Sequence, residues 1–412
     1  MKRKLVTVFI ALMLLCVLVQ ANDLPTEIPE DSYFPILMFE DPTGFLTTTG
    51  IRGMNSSVLA TRQGIFGLDV SGKFSLANDT FGLENLSRYA TDLDDALKDE
   101  IIELAGEDGI SISPYTIAGA NMQLSRLGLS ANLIVNGQGY LSKDLVELLL
   151  KGNELNRVYN LDPNLRLAFI GDVKAQVAFK VPLLAKVFRF NDISMGFAYH
   201  HIPAGVYVVA DSDIAFESVY TEDEASTEAE FTGNLFISDS AKGSAFDIGL
   251  LVRPTEKLYF AAAIDGMQGQ VNWTNFRYVS LEELEETDGA SIDLTNLGTP
   301  VTGQVSQKLP LTLKVGARYD VFNWLKLYGE GRQTTLADKS SYITISAGTD
   351  VTLLWVLPLK ASVTYDTRYS RFGYKVGAGL KLFVIEAAIE GFTRPHATGD
   401  ELGIGAAARI AF

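Results

Sequence analysis

The stretch FGYKVGAGLKLF, Phe372 to Phe383, carries the periodicity that decides the fold. Its even-numbered positions are apolar or aromatic, whereas its odd-numbered positions up to Lys381 are glycine or lysine. A period of two over this length predicts a β-strand with one apolar face and one face of glycine and charge. In VIEAAIEG, Val384 to Gly391, the apolar residues move to odd positions, which predicts a tight turn near residues 382–384.

The same alternation recurs along most of the chain. It is clear in GIFGLDVSGKFSL (64–76), RLAFIGDVKAQVAFKV (166–181), LTLKVGARY (311–319), SYITISAGTDV (341–351) and PLKASVTYDTR (358–368). Noisier runs occur near 113–124, 127–136, 191–201, 205–216, 230–239, 244–253, 257–265, 324–334 and 402–412. The runs predict about 14 strands, within a range of about 12 to 16, long enough to cross a bilayer when tilted.

A soluble β-sandwich also alternates, but large side chains fill its inner face and its outer face is polar. Here the minor face consists of glycine and charges of both signs, and aromatic residues such as Trp324, Trp355 and Phe372 lie near predicted strand ends. Aromatic residues at strand ends are typical of a membrane-interface girdle. The sequence therefore predicts an all-β fold, a transmembrane antiparallel β-barrel.

The first residues predict export. Lys2, Arg3 and Lys4 precede an apolar stretch and a cleavage site after Ala21, so residues 1–21 are interpreted as a signal peptide rather than as a short membrane anchor. The only cysteine, Cys16, lies inside it, and Leu15 is too large for a lipoprotein signal. We predict a mature chain without disulfides, located in the outer membrane of a diderm bacterium.

Two stretches have helical spacing instead. Residues 85–106 and 142–152 each predict a short amphipathic helix, with Gly106 and Gly152 as stops and Ser142 as an N-cap. The helices could plug the lumen, lie on the periplasmic rim or cap an extracellular loop. The predicted organisation is a signal peptide (1–21), an N-terminal segment that is a candidate plug (22–62) and the barrel (63–412).

The loops differ in length. The links Arg253–Lys257 and Tyr319–Trp324 resemble periplasmic turns, whereas the acidic stretches Tyr220–Phe231 and Ser280–Gln307 are typical of extracellular loops. The net charge of −16 argues against nucleic-acid binding, which needs basic patches.

Charged residues on the minor faces are the candidate functional residues. They either form a selectivity lining for a solute path or a network of cross-strand ion pairs that closes the interior. The candidate lumen residues are Lys314, Arg318, Lys326, Glu330, Lys360, Asp366, Lys375, Lys381, Glu386, Glu390 and Arg409.

Catalytic and cofactor motifs are weak. His200 and His201 are adjacent on a predicted strand, so they point to opposite faces and are interpreted as ordinary barrel residues. GIGAAA (403–408) matches a dinucleotide pattern but lacks the helix that this motif requires. We predict neither enzymatic activity nor a cofactor.

A signal peptide, early strands with helical insertions and a run of hairpins ending in Phe412 together resemble the outer-membrane barrels of the long-chain fatty-acid transporter superfamily, including their TraF-like relatives. The resemblance implies 14 strands and an N-terminal plug. The Asn-Pro-Ala motif of that family is missing near the N-terminus, where the nearest match is EDPTG, Glu40 to Gly44.

The predicted function is that of a porin or transporter for passive passage of small solutes, hydrophobic ones included. The alternative is a plugged structural or adhesion barrel without transport. The expected partners are outer-membrane lipid, an unknown solute and the barrel-assembly machinery, for which the terminal aromatic Phe412 resembles the recognition signal.

Overall fold

The computed structural model describes residues 66–82, 94–107, 109–152, 154, 157–161, 164–220, 225–280, 299–301 and 303–412, with the backbone alone for 211–234 and 279–280. The predicted signal peptide (1–21) and N-terminal segment (22–62) lie outside these residues, as does much of the stretch 85–106. Most of the acidic loop that begins at Ser280 also lies outside them.

The strands form one closed antiparallel barrel, which confirms the predicted fold class. Fourteen long strands make the wall, and β1 closes it against β17 in a continuous register from Gly67↔Ala411 to Ala77↔Glu401. The strands are β1 (Phe66–Asn78), β2 (Ile110–Leu124), β3 (Leu127–Leu141), β4 (Val158–Asn160), β5 (Asn164–Lys180), β6 (Asp192–Tyr220), β7 (Ala225–Arg253), β8 (Leu258–Ser280), β9 (Thr299–Val301), β10 (Val305–Lys308), β11 (Leu311–Phe322), β12 (Leu325–Thr335), β13 (Ser341–Leu353), β14 (Leu357–Asp366), β15 (Arg371–Leu382), β16 (Ile385–His396) and β17 (Gly399–Ala411).

Alternation along the strands separates a lipid-facing surface from the lumen. Val376, Ile389 and Ile404 on the outer face are each more than 60% exposed, whereas the charged residues between them on β15 and β16 face inward and are largely covered. A closed wall pairs the backbone groups of the first and last strands, which would otherwise meet hydrocarbon unpaired.

The two ends of the barrel differ. One end carries the turns between β2 and β3, β7 and β8, β11 and β12, β13 and β14, and β15 and β16, together with the first and last strand residues. The predicted link Arg253–Lys257 lies at this short-turn end. The predicted turn Tyr319–Trp324 is shorter than expected, because β11 continues to Phe322 through a register shift after Asp320. The opposite end carries the β6–β7 hairpin tip and the loops after β1, β3 and β8; we call it the long-loop end.

Three helices occur in the described residues: α1 (Asp95–Ala105), α2 (Lys143–Lys151) and α3 (Pro182–Phe188). The N-cap Ser142 accepts a hydrogen bond from the Leu145 N–H, and Gly152 follows the last turn of α2. The third helix lies at the short-turn end between β5 and β6. The sequence did not predict it because its 7 residues are too few to show a helical period and no side chain caps its N-terminus. None of the described helices is long and apolar enough to cross a membrane.

The helices α1 and α2 pack together at the long-loop end. Ile101 and Ile102 of α1 form one apolar cluster with Val146 of α2 and with Ile110 of β2. An ion pair of 2.5 Å joins Lys151 Nζ to Asp99 Oδ1 across the two helices. The helices α1 and α2 therefore lie at the long-loop end beside the outward-facing Phe74 and Ile404, not in the lumen.

Candidate functional site: the lumen of the barrel

One row of inward charges crosses β11 to β14 and alternates in sign from strand to strand. Asp320 lies opposite Lys326, Lys326 opposite Asp350, and Asp350 opposite Lys360. Opposite charges at directly facing positions stabilise an antiparallel pair. The register of the sheet thus brings the predicted residues Lys326 and Lys360 to the two sides of a carboxylate that the prediction did not include.

A second alternating row crosses the seam where the barrel closes. Lys381 Nζ lies 2.9 Å from Glu386 Oε1, Glu386 faces Arg409, and Arg409 Nε lies 3.2 Å from Asp69 Oδ1. The amide of Asn121 donates a hydrogen bond to Asp69 Oδ2 at 2.9 Å. The structure therefore brings together three residues of the predicted set and adds Asp69, which belongs to the first strand and becomes a neighbour only on closure.

The other predicted residues also lie on the inner face, each beside an opposite charge. Lys375 Nζ lies 3.8 Å from Glu390 Oε2. Arg318 pairs with Asp320 and stacks on Tyr259, Glu330 contacts the Arg332 guanidinium, and Asp366 lies 3.9 Å from Arg368.

The remaining predicted residue, Lys314, belongs to a buried group that we call the ionic cluster. It consists of Asp172, Lys174, His200, Asp247, Asp265 and Lys314, contributed by β5, β6, β7, β8 and β11. Lys314 has no exposed surface and lies 2.5 Å from Asp265 Oδ2, and Lys174 Nζ lies 2.7 Å from Asp247 Oδ2. Buried charges persist in a protein when they are paired and hydrogen-bonded.

His200 completes the ionic cluster. Its Nδ1 lies 3.0 Å from Asp172 Oδ1 and its Nε2 lies 2.8 Å from Asp247 Oδ2. Only the imidazolium form can donate through both ring nitrogens, and with that form the three carboxylates face three positive charges. His201 points outward and His200 inward, as their adjacent positions on one strand predict. His200 is thus a residue of the barrel interior that bridges two buried carboxylates, a role that the sequence did not reveal.

The lysines of the ionic cluster occupy the space between its acids. Accordingly, no three histidine, cysteine or acidic side chains within the described part of the chain are arranged to hold a metal ion.

Towards the long-loop end, an aromatic cluster lies on the same side of the lumen. It consists of Tyr207, Phe236, Trp273, Phe276 and Tyr278, which are almost completely buried. Tyr207 stacks on Trp273 with ring centroids 5.1 Å apart, and the Trp273 Nε1–H donates to Gln307 Oε1 at 3.0 Å. The cluster fills part of the lumen with side chains from the three longest strands.

A cavity of about 230 Å³ remains in the long-loop half of the lumen. It lies between the inner faces of β11–β14, on one side, and those of β1–β3, β16 and β17 on the other. Its lining includes Ser113, Tyr115, Arg332, Tyr342, Thr344 and Arg368. Tyr115 also packs against the aromatic cluster, so the cavity lies beside that cluster and is shaped by it.

No protein-family model matches the chain, and no curated protein matches it. Among solved structures, it is similar to a Pseudomonas aeruginosa FadL homologue, with 11% identity, a TM-score of 0.47, and coverage of 87% of this chain and 93% of that one. It is similar to the Ralstonia pickettii toluene transporter TbuX, with 10% identity, a TM-score of 0.48 and coverage of 87% and 92%. It is also similar to the Pseudomonas putida toluene transporter TodX, with 10% identity, a TM-score of 0.42 and coverage of 87% and 93%.

These likenesses concern architecture. At these identities and TM-scores they carry no argument about family or role. The closed barrel of 14 long strands is established by the strand pairing of this chain, and the resemblance to the fatty-acid transporter superfamily stays a prediction. A fold does not fix a function, so the role of this chain has to be argued from its own lumen.

Proposed function

We propose that the protein is an outer-membrane barrel through which small solutes, hydrophobic ones included, pass without chemical conversion. The observation that carries this proposal is the lumen cavity, which lies between opposing walls and offers both apolar and hydrogen-bonding side chains. Below it, Lys381 on the inner face of β15 remains half-exposed at the short-turn end. A solute would enter from the long-loop end, which we place outside the cell, and diffuse along the inner face of β11–β17.

The test is solute flux into proteoliposomes that contain the full chain. Thr344→Trp places a large ring in the cavity, whereas Ile343→Trp, one position away, places the same ring on the lipid-facing side. We expect arabinose-driven swelling with the wild type and with Ile343→Trp, and a clear loss with Thr344→Trp. Equal flux through both variants would show that solutes do not pass through this cavity.

A second candidate is a closed structural or surface barrel, and a specific observation favours it. The aromatic and ionic clusters fill one side of the lumen so completely that Trp273 and Lys314 have no exposed surface. If wild-type proteoliposomes neither swell nor give single-channel steps in planar bilayers, the closed barrel becomes the better proposal.

We also propose that residues 1–21 are removed on export and that Phe412 serves the assembly machinery. In the barrel, Phe412 exchanges backbone hydrogen bonds with Phe66, and their rings stack at 6.5 Å. We expect Phe412→Ala to lower the amount of heat-modifiable barrel in cell envelopes while purified protein still refolds in detergent. An equal loss in both settings would assign Phe412 to barrel closure alone, and the mass of the mature N-terminus tests cleavage after Ala21.

A further inference from the structure

Arg368 stands at the long-loop end of the cavity, in the turn between β14 and β15. Its guanidinium carbon lies 4.2 Å from the ring centroid of Tyr342 and 4.3 Å from that of Tyr369. Contacts with two aromatic rings hold a guanidinium in place without consuming its N–H donors. The side chain is therefore positioned before any ligand arrives, while 37% of it remains exposed.

The positive charge of Arg368 is the least compensated of the three arginines that line the cavity. Its ion pair with Asp366 spans 3.9 Å, which exceeds hydrogen-bond distance. By contrast, Arg394 donates to Glu401 Oε1 at 2.7 Å, and the Arg332 Nε contacts Glu330. A negatively charged group that enters the cavity therefore gains most at Arg368.

The size and lining of the cavity restrict what can accompany that negative charge. A volume of about 230 Å³ lies below the range of roughly 300–1,000 Å³ that is common for drug-sized ligands. Tyr115, Pro114 and Pro395 offer flat apolar surfaces, and hydroxyl groups such as that of Ser113 lie among them. This combination suits a short planar molecule better than a long alkyl chain.

We propose that the cavity is a binding site for small planar organic anions, aromatic carboxylates, with Arg368 as the residue that binds the carboxylate. The proposal rests on the proposed function, since it names the class of solute that occupies the lumen. The guanidinium presents two parallel N–H groups to the carboxylate, and a bidentate pair of this kind is both strong and directional. The ring of the ligand then lies against the apolar part of the lining.

The test uses benzoate and its neutral analogue benzamide as probes of the refolded full chain in detergent, by equilibrium dialysis. We expect the wild type to prefer benzoate, and Arg368→Gln to weaken benzoate binding by about ten- to a hundred-fold, the usual effect of losing a charged hydrogen-bond partner. Arg368→Lys should keep only part of the preference, because an ammonium group cannot donate two parallel hydrogen bonds to one carboxylate. Lys339→Gln removes an exposed charge at the same end of the barrel and should leave the preference intact.

Two results would overturn the proposal: equal affinity of the wild type for benzoate and benzamide, or an unchanged preference in Arg368→Gln. Heat-modifiable migration in gels checks that each variant is folded. Arabinose flux separates the two proposals. Flux without a benzoate preference supports the passage function and rejects the anion site. A benzoate preference without flux supports the anion site and rejects the passage function.

Discussion

The barrel has two walls that use the same strand pattern for different purposes. The filled wall, β5 to β8 together with Lys314 of the adjacent β11, builds the ionic and aromatic clusters on its inner face, and β5 to β8 are strands of 17 to 29 residues. The lined wall, β11 to β17, consists of strands of 10 to 13 residues that carry cross-strand rows of paired charges. Many of these side chains, such as Glu330 and Asp350, are largely covered, whereas Lys381 at the short-turn end is half-exposed. Under the proposed function, the filled wall supplies packing and the lined wall borders the path of the solute.

Electrostatics gives the two walls different stability. A charge pair without solvent contact has already lost its hydration, so removal of one partner leaves a buried charge that nothing compensates. A half-exposed pair keeps water on both groups, and its loss costs little. The lysines Lys314 and Lys381 represent these two cases, at 0% and 50% side-chain exposure.

The largest effect should follow from Lys314→Met, which leaves Asp265 buried without its partner. We expect the free energy of unfolding to fall by about 3–5 kcal/mol. Urea titration of the barrel in lipid vesicles, read by heat-modifiable gel migration, measures this. The double variant Lys314→Met with Asp265→Leu removes both charges and should recover most of the loss.

The matched change on the lined wall is Lys381→Met. Its ion pair with Glu386 is half-exposed on the lysine side, so the same titration should show a loss of less than about 1 kcal/mol. Similar losses for Lys314→Met and Lys381→Met would remove the distinction between the two walls.

An effect between those of Lys314→Met and Lys381→Met is expected from Asp350→Lys on the lined wall, because it changes two facing pairs. The new lysine would face Lys326 on one side and Lys360 on the other, and like charges at facing positions destabilise a sheet by roughly 0.2–1 kcal/mol for each pair. We also expect ion permeability to shift toward anions, which reversal potentials in planar bilayers measure. Adding Lys360→Asp to this variant restores one of the two opposite-charge pairs and should reverse part of both changes; failure to do so would contradict the cross-strand pairing.

The sequence predicts the lined wall better than the filled wall, for a physical reason. From Leu311 onward, apolar residues alternate with small or charged ones along each strand. A charged residue at a position between the apolar ones is therefore predicted to face the lumen, as Lys375, Glu386 and Arg409 do. Along β5 to β8, register shifts after Gly171 and Ser244 and a left-handed residue at Asn275 change which parity faces inward. Predicted breaks near 202–205 and 239–244 therefore fall within continuous strands rather than between separate ones.

The pairing of the site residues is harder to predict than their orientation. Asp69 and Arg409 are neighbours only because the first strand meets the last, and His200 meets Asp172 and Asp247 only through the register of β5, β6 and β7. The alternation of residues along one strand does not show which residues of other strands lie beside it. The cavity is likewise a property of the closed barrel, since its lining comes from strands at both ends of the chain.

The smallest effect concerns the rim next to the filled wall, where α2 leads into β4 and β5. Arg157 donates to both carboxylate oxygens of Glu147, at 2.9 and 2.7 Å. The Arg157 guanidinium holds the pKa of Glu147 below its ordinary value of 4.5. A carboxyl group with a lowered pKa in the folded state stabilises that state above its ordinary pKa, and the contribution disappears as the pH falls through the folded value.

We therefore expect the amide protons of α2 to exchange a few-fold faster at pH 3 than at pH 7, after correction for intrinsic rates. Arg157 is one-third exposed, so solvent screening limits the effect to less than about 1 kcal/mol. The variant Arg157→Gln removes the main cause of the lowered pKa of Glu147. We therefore expect faster amide exchange of α2 at pH 7 and a smaller increase in exchange between pH 7 and pH 3. Hydrogen–deuterium exchange by mass spectrometry measures this, with the buried amides of β6 as an internal reference. If acid accelerates exchange equally in wild type and variant, the ion pair between Arg157 and Glu147 is not the cause. An equal response would mean that the apolar contacts of α2 hold the rim without help from this ion pair.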